Sequence, residues 1–435
     1  MKKRTEKLLA LATLLAMGTT ALASCGNKAA SGESASGEAK SEGKVALSMA
    51  IWDEKQRAMT ESLVEAYTKA HPNVSIEVQL TPYKGGEYWT KLEAAATGGK
   101  APDVFWLNVL HTDSYVDGGI LADLSDAIAK SDIKDNFPES LVNNYVRNGK
   151  NYAVPKDFDT NALWYNKEIF DEAGVSYPTN DMSYEDLVAK AEELKQAGLD
   201  EGVYPFACPV DFQTWYYQTV FANGGWILSE DKKTSGYEDP KTQGGIQCWI
   251  DMIDKELSPS SAALSETSAD AMFEGGQLAM TFAGSYMVPE YTSNDNIKDK
   301  IDCVELPSFN GVDTNCINGL GFAVYEGSKN KEAATEFAIW LSSKEAMDIQ
   351  GNTGVVISAR NESQELFAKS SDKYALAVYT AHTDKAYPLP VCKNAAQLYD
   401  MESKALQKAY SGEESLAEAC KALKTEADAF LAKNQ

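Results

Sequence analysis

The chain has 435 residues, of which 44% are hydrophobic, more than one compact core normally holds, so two domains are expected. Its 64 acidic residues outnumber 40 basic ones, giving a formal charge of -24 that argues against nucleic acid or anionic membrane surfaces as partners. Only three histidines, His71, His111 and His382, occur, far apart and with no Cys or His at ligand spacing, which argues against a zinc site or a histidine-based triad.

The first element is a basic head (Lys2, Lys3, Arg4) followed by an apolar run that ends in Leu22-Ala23-Ser24-Cys25. Small residues and a cleavage-type site close it, as in a secretory signal rather than a membrane span. The L-A-S-C ending resembles the bacterial lipoprotein signal, in which the cysteine becomes the lipidated first residue; ordinary secretion is the alternative. Removing residues 1–24 takes away four basic residues and one acidic, so the charge becomes -27. The stretch GNKAASGESASGEAKSEG after Cys25 has almost no large apolar side chains and reads as a flexible tether.

From residue 44, strand-like and helical patterns alternate. VALSMAIW (45–52) reads as a strand, and a helix follows with Leu63, Ala66, Tyr67 and Ala70 on one face, stopping before Pro72. VSIEVQL (74–80) alternates like a half-buried strand; YWTKLEAAATGG is helical; APDVFWLN is the third strand. This order predicts an α/β domain with a mainly parallel sheet. Further on, NALWYN (161–166) is strand-like, and SYEDLVAKAEELKQAG has Ser183 as N-cap, Asp186 three residues on and Gly198 at its end. GQLAMTFAG (276–284) and GLGFAVYEG (319–327) are glycine-bounded strands. KEAATEFAIWLSS places Ala334, Phe337, Ala338 and Leu341 at helical spacing, and a last helix aligns Leu416, Cys420, Leu423 and Ala427. No internal repeat is evident. Six further cysteines lack C-x-x-C spacing; Cys303 and Cys316 are the nearest pair for a disulfide, and isolated buried thiols are the alternative.

Several segments, in order, resemble the sugar-binding lipoproteins of ABC importers, the extracellular family that includes maltose-binding protein. They are AAATGGKAPDVFWLN with GGILADLSD, NGKNYAVPKDFDTNALWYNKEIFDEAGV, FEGGQLAMTFAGSYM and GLGFAVYEGSKNKEAATEFAIWLSS. The late segment KAYPLPVCKNAAQLYDMESKAL lacks a tryptophan that the family leads one to look for there. The resemblance implies an α/β, two-lobe periplasmic-binding-protein-like fold with interdigitated chain crossings and a hinge. On that template residues 44–154 and 300–343 form the first lobe, and 155–299 and 344–435 the second. It also implies a monomer, lipid-anchored through Cys25 on the outer face of the cell membrane. Such a protein captures a sugar in the cleft, passes it to permease subunits, and needs neither cofactor nor metal.

A pyranose presents a weakly apolar face and a rim of hydroxyls, so its site needs flat aromatics and forked polar groups. Trp52 and Asp53 end the first strand, where open α/β sheets bind ligands; core and N-cap roles are the alternatives. Trp106 and Asn108 end the third strand and share a face. Asp157 and Asp159, two apart, also share a face if extended, as hydroxyl acceptors or as loop formers. Trp215, Ser285 and Tyr286 are candidates from the second lobe, Tyr286 as an aromatic platform. Asn318 and Gly319 are candidates from the first, and Arg360 forks onto hydroxyls or forms a salt bridge. Trp164, among apolar neighbours, reads as core. A glycosidase needs two carboxyl groups on opposite sides of a bond, whereas Asp157 and Asp159 would approach from one side. A polyamine in the same fold is a further alternative, and a sensor receptor another.

Overall fold

A computed structural model describes residues 43–83 and 86–434. The signal, Cys25 and the tether lie outside the described residues. The first lobe is built on five strands. β1 (Val45–Ile51), β2 (Val74–Leu80), β3 (Val104–Asn108), β4 (Ala153–Pro155) and a late strand lie in the order β2-β1-β3-late-β4. The second lobe holds β5 (Asn161–Asn166), β6 (Met280–Gly284) and β7 (Ile301–Val304), in the order β7-β5-β6. The late strand of the first sheet is β8 (Leu320–Val324).

The first three strands form the expected parallel set, with a later strand inserted against their direction. β1 pairs parallel with β2 and β3, but β8 enters antiparallel between β3 and β4, and the second sheet is antiparallel throughout. Local patterning does not reveal this, because β8 arrives more than two hundred residues after its partner β3. The expected return to the first lobe at residue 300 also moves. Ile301–Val304 pairs with Asn161–Asn166 in the second lobe, so the chain comes back only through the crossing that leads into β8.

Burial follows strand position. β2 is the edge strand on one side and alternates between half-buried and exposed residues, whereas β4, at the other edge, is buried throughout. β3 is central, and apolar residues cover both its faces: Val104 and Trp106 belong to the main core, Phe105 and Leu107 to an aromatic cluster with Tyr88, Trp89 and Tyr145. The helix Arg57–Ala70 buries Leu63 and Tyr67 against the sheet and stops at His71. Ser183 and Asp186 form a capping box for the helix Tyr184–Ala197, which ends at a left-handed Gly198. The last helix, Leu416–Lys433, buries Leu416, Cys420, Leu423 and Ala427. All six described cysteines are free and buried, so Cys303 and Cys316 are not paired. Among the described residues no helix is long and apolar enough to cross a membrane.

Candidate functional site

Three chain segments meet where the lobes join. Beyond β4, Asp157–Phe158 pairs antiparallel with Ile357–Ser358, and Asp159 bridges Asn318. The Asp159 amide donates to the Asn318 carbonyl at 2.6 Å, and the Asn318 amide returns a bond to the Asp159 carbonyl at 3.2 Å. Gly319 permits this approach: a Cβ there would lie 2.5 Å from the Asp157 carbonyl oxygen.

Lys156 anchors the crossing from below. It is wholly buried, donates to Gln56 Oε1 at 2.8 Å, pairs with the Asp157 carboxylate, and stands 4.4 Å from the centroid of the Trp106 ring. The other Asp157 oxygen accepts from the Leu320 amide at 3.1 Å. Asp157 is thereby satisfied inward. Among the described residues, Asp159 is left with a single side-chain bond, accepting from Ser285 Oγ at 3.2 Å. Burial, reinforced by repulsion from Asp157, pushes its carboxyl up to about 7, while Lys156 and Ser285 pull it down.

The first lobe offers an aromatic wall to this point. Trp52 is half-buried and meets Tyr88, Trp106, Trp89 and Tyr83 at ring-centroid distances of 4.9, 5.1, 5.5 and 5.9 Å. Tyr83 is 53% exposed. Behind them His111 stacks on Trp89 at 3.8 Å, and burial lowers its imidazole to about 4, so it is neutral at ordinary pH. The second lobe offers Tyr286, 39% exposed, whose ring folds over Gly284, where a Cβ would lie 2.2 Å away. The hydroxyl end is enclosed, and that burial, with the negative charges of Asp211 and Asp270, raises its pKa well above the usual tyrosine value. Gln213 joins the two lobes: its Oε1 accepts from Asn318 Nδ2 at 3.2 Å, and its carbonyl accepts from Asn161 Nδ2 at 2.9 Å. At the rim, Lys55 reaches across to Glu290 (3.3 Å) and Ser293 (3.0 Å).

This two-lobe frame with a three-segment hinge has counterparts among known proteins. The family described as bacterial extracellular solute-binding protein matches residues 52–348. The chain belongs to that family. The binding protein is 24% identical over 91% of its length to a maltooligosaccharide ABC transporter solute-binding lipoprotein of Streptococcus pneumoniae, covering 92% of that protein. It is 28% identical over 67% of its length to the diacetylchitobiose binding protein of Streptomyces coelicolor, again covering 67% of the relative. Among solved structures, an ABC substrate-binding protein of Listeria monocytogenes in complex with cycloalternan superposes with a TM-score of 0.80 at 24% identity, covering 89% of this chain and 99% of that one.

The structure brings Trp52, Asp53, Asp157, Asp159, Ser285, Tyr286, Asn318 and Gly319 toward the lobe junction, though in unequal roles. Asp53 caps the next turn, accepting from the Lys55 amide and from Gln56 Nε2, both at 2.9 Å. Asn108, half-buried, caps the helix Val109–Asp117 through the Leu110 amide at 3.1 Å. Three candidates need correction. Trp106 is wholly buried because β1 and β8 flank its strand and both faces are covered; it supports Trp52 and Lys156 instead of facing a ligand. Trp215 is 5% exposed and spends its indole N–H on the Ala207 carbonyl at 2.9 Å. Arg360 is 5% exposed, and its guanidinium is taken up by Asp132 (2.7 Å) and Glu362 (3.0 Å), the salt-bridge alternative. The sequence reading missed Tyr83, Lys156 and Gln213. Lys156 carried one signal, a lone cation between the apolar run YAVP and the first of two aspartates.

Proposed function

We propose that this binding protein captures a sugar or oligosaccharide between its lobes and delivers it to the permease of an ABC importer, without chemical change to the ligand. One observation carries the reading: Asp159, a buried carboxylate with one side-chain bond among the described residues, stands at the lobe junction beside Tyr286, and the Trp52–Tyr83 aromatic group of the first lobe packs on Trp106, which lies against Lys156 of the same crossing. Flat rings suit the C–H faces of a pyranose, and Asp159 with Asn318 and Gln213 suits its hydroxyl rim. The names of the Streptomyces and Streptococcus relatives point to the same ligand class. A thermal-shift screen over mono- and oligosaccharides tests it: at least one should raise the melting temperature in a concentration-dependent way, and none doing so would overturn the reading.

In this proposal Cys25 carries the lipid that holds the protein at the outer face of the membrane. Cys25→Ala should then release it into the medium, while retention would count against the anchor. A cationic ligand such as a polyamine is the second reading, favoured by Asp211 and Asp270 standing close to Tyr286. Salt separates the two, because a cation's affinity falls steeply with ionic strength and a neutral sugar's does not.

A further inference from the structure

The second lobe contains a polar chamber that the ligand site does not use. Glu402, on the helix Ala395–Tyr410, is 0% exposed, and its Oε2 accepts from the Tyr217 hydroxyl at 2.7 Å. Its Oε1 and the buried hydroxyls of Tyr216, Tyr237 and Tyr410 make no hydrogen bond of regular geometry, Tyr237 only leaning toward the carboxyl. These groups are neighbours: Tyr216 stands close to Glu402, Tyr237 and Tyr410, and Tyr237 stands against the Glu402 carboxyl. Four such polar atoms in one core demand an explanation, since buried polar groups are almost always bonded.

The donor and acceptor count selects the guest. Three phenol hydroxyls and one carboxyl oxygen lack a regular hydrogen bond. A cation would engage the oxygens and leave the phenol hydrogens unpaired. A water accepts and donates, and buried waters typically make about three such bonds. The titratable groups facing Glu402 are Tyr216 and Tyr217 from the preceding helical segment, Tyr237 from the turn before the helix Pro240–Asp254, Tyr399 on its own helix, and the Cys420 thiol on the last helix. None is cationic, and among the described residues no lysine or arginine bears on the carboxyl. A buried carboxyl without a counter-charge keeps its proton.

We propose that the second lobe encloses a hydration site, at least one water held by Glu402 Oε1 and the hydroxyls of Tyr216 and Tyr237, with Tyr410 bounding it beside Tyr216 and the Glu402 carboxyl protonated at neutral pH. The site braces the ligand junction from behind. Phe212 stacks on Tyr399 at 4.2 Å, and the segment Phe212–Tyr216 that supplies Tyr216 also presents Gln213 to Asn318.

Proton linkage gives the test its sign. Burial raises Glu402 from 4.5 to about 8 in the folded chain. Between those values only the unfolded chain releases the proton, so this group's stabilisation is complete below 4.5, falls as pH rises, and levels off above 8. Thermal unfolding of the whole mature protein is compared with Glu402→Gln, whose neutral amide imitates the protonated acid. The two should melt together near pH 5, with the variant increasingly the more stable toward pH 8 and the gap constant beyond. A gap that never opens, or a variant less stable at every pH, would overturn the protonated state. Sodium or potassium chloride raising the wild-type melting temperature at alkaline pH relative to choline chloride, but not that of the variant, would assign the site to a cation and overturn the water. A high-resolution crystal structure of the wild type should show a guest bonded to Oε1 and to the phenol oxygens of Tyr216 and Tyr237; direct carboxyl–phenol contact with no guest would refute the site.

Discussion

Asp157 and Asp159 are two residues apart and do different work, and the difference is electrostatic. Lys156 neutralises Asp157 in a dry setting, whereas Asp159 has a hydroxyl bond and a repelling neighbour. If a ligand hydroxyl donates to Asp159, binding requires the ionised carboxylate, so affinity should strengthen as pH rises through about 7. Calorimetric titration across that range checks this. Asp159→Asn should flatten the profile and cost about 1.5–3 kcal/mol of binding, the worth of a hydrogen bond to a charged group. Lys156→Met should act on folding instead. It strands the buried Asp157 charge and should cost about 3–5 kcal/mol in denaturant melts. Adding Asp157→Asn should restore much of that loss, because the uncompensated charge disappears with it.

At the level of elements, the closest fit lies at the hinge. Gly319→Ala sets a methyl 2.5 Å from the Asp157 carbonyl, which only a backbone shift can relieve, and overpacking of this kind costs about 1–3 kcal/mol. A lowered melting temperature together with weakened ligand binding is expected, since the displaced strand carries both Asp157 and Asp159. Signals confined to one element were readable in the sequence. Ser183 with Asp186, and Gly198 after them, marked a helix whose caps are made by those residues, because capping joins side chain and backbone a few positions apart. The buried faces of the helix Lys331–Trp340 and of the last helix followed from spacing alone. What depended on distant partners was not readable. Trp106 stood at a strand end suited to ligand contact until β8, over two hundred residues later, covered that strand. Lys156 makes sense only beside Gln56, a hundred positions away. The Arg360 guanidinium has two roles open to it in the sequence, and Asp132, 228 positions away, decides between them.

For the whole molecule, function in this proposal rests on an equilibrium between open and closed lobes that a ligand shifts by touching both. The Lys55 contact with Glu290 and Ser293 is a small bias toward closure, about 0–1 kcal/mol for an exposed pair. Glu290→Lys turns that attraction into repulsion. Small-angle scattering should show a more expanded unliganded protein and, for the unmutated chain, compaction on saturation with sugar. Unchanged dimensions in both experiments would count against closure as the response to ligand.

β8 also governs when the protein can fold. It sits inside the first sheet, hydrogen-bonded on both sides, yet it follows all three strands of the second sheet in chain order. The first sheet cannot close until residue 324 is available, and the second lobe waits for the last helix, which ends at Lys433. Loop closure over such separations is slow, and ribosomes add about 5–20 residues each second, so the nascent polypeptide spends tens of seconds without a finished domain. Interleaving the lobes therefore acts as a timer. It keeps the polypeptide open while it is being made, which suits the proposed function, since a chain must be unfolded to be threaded through a narrow export pore.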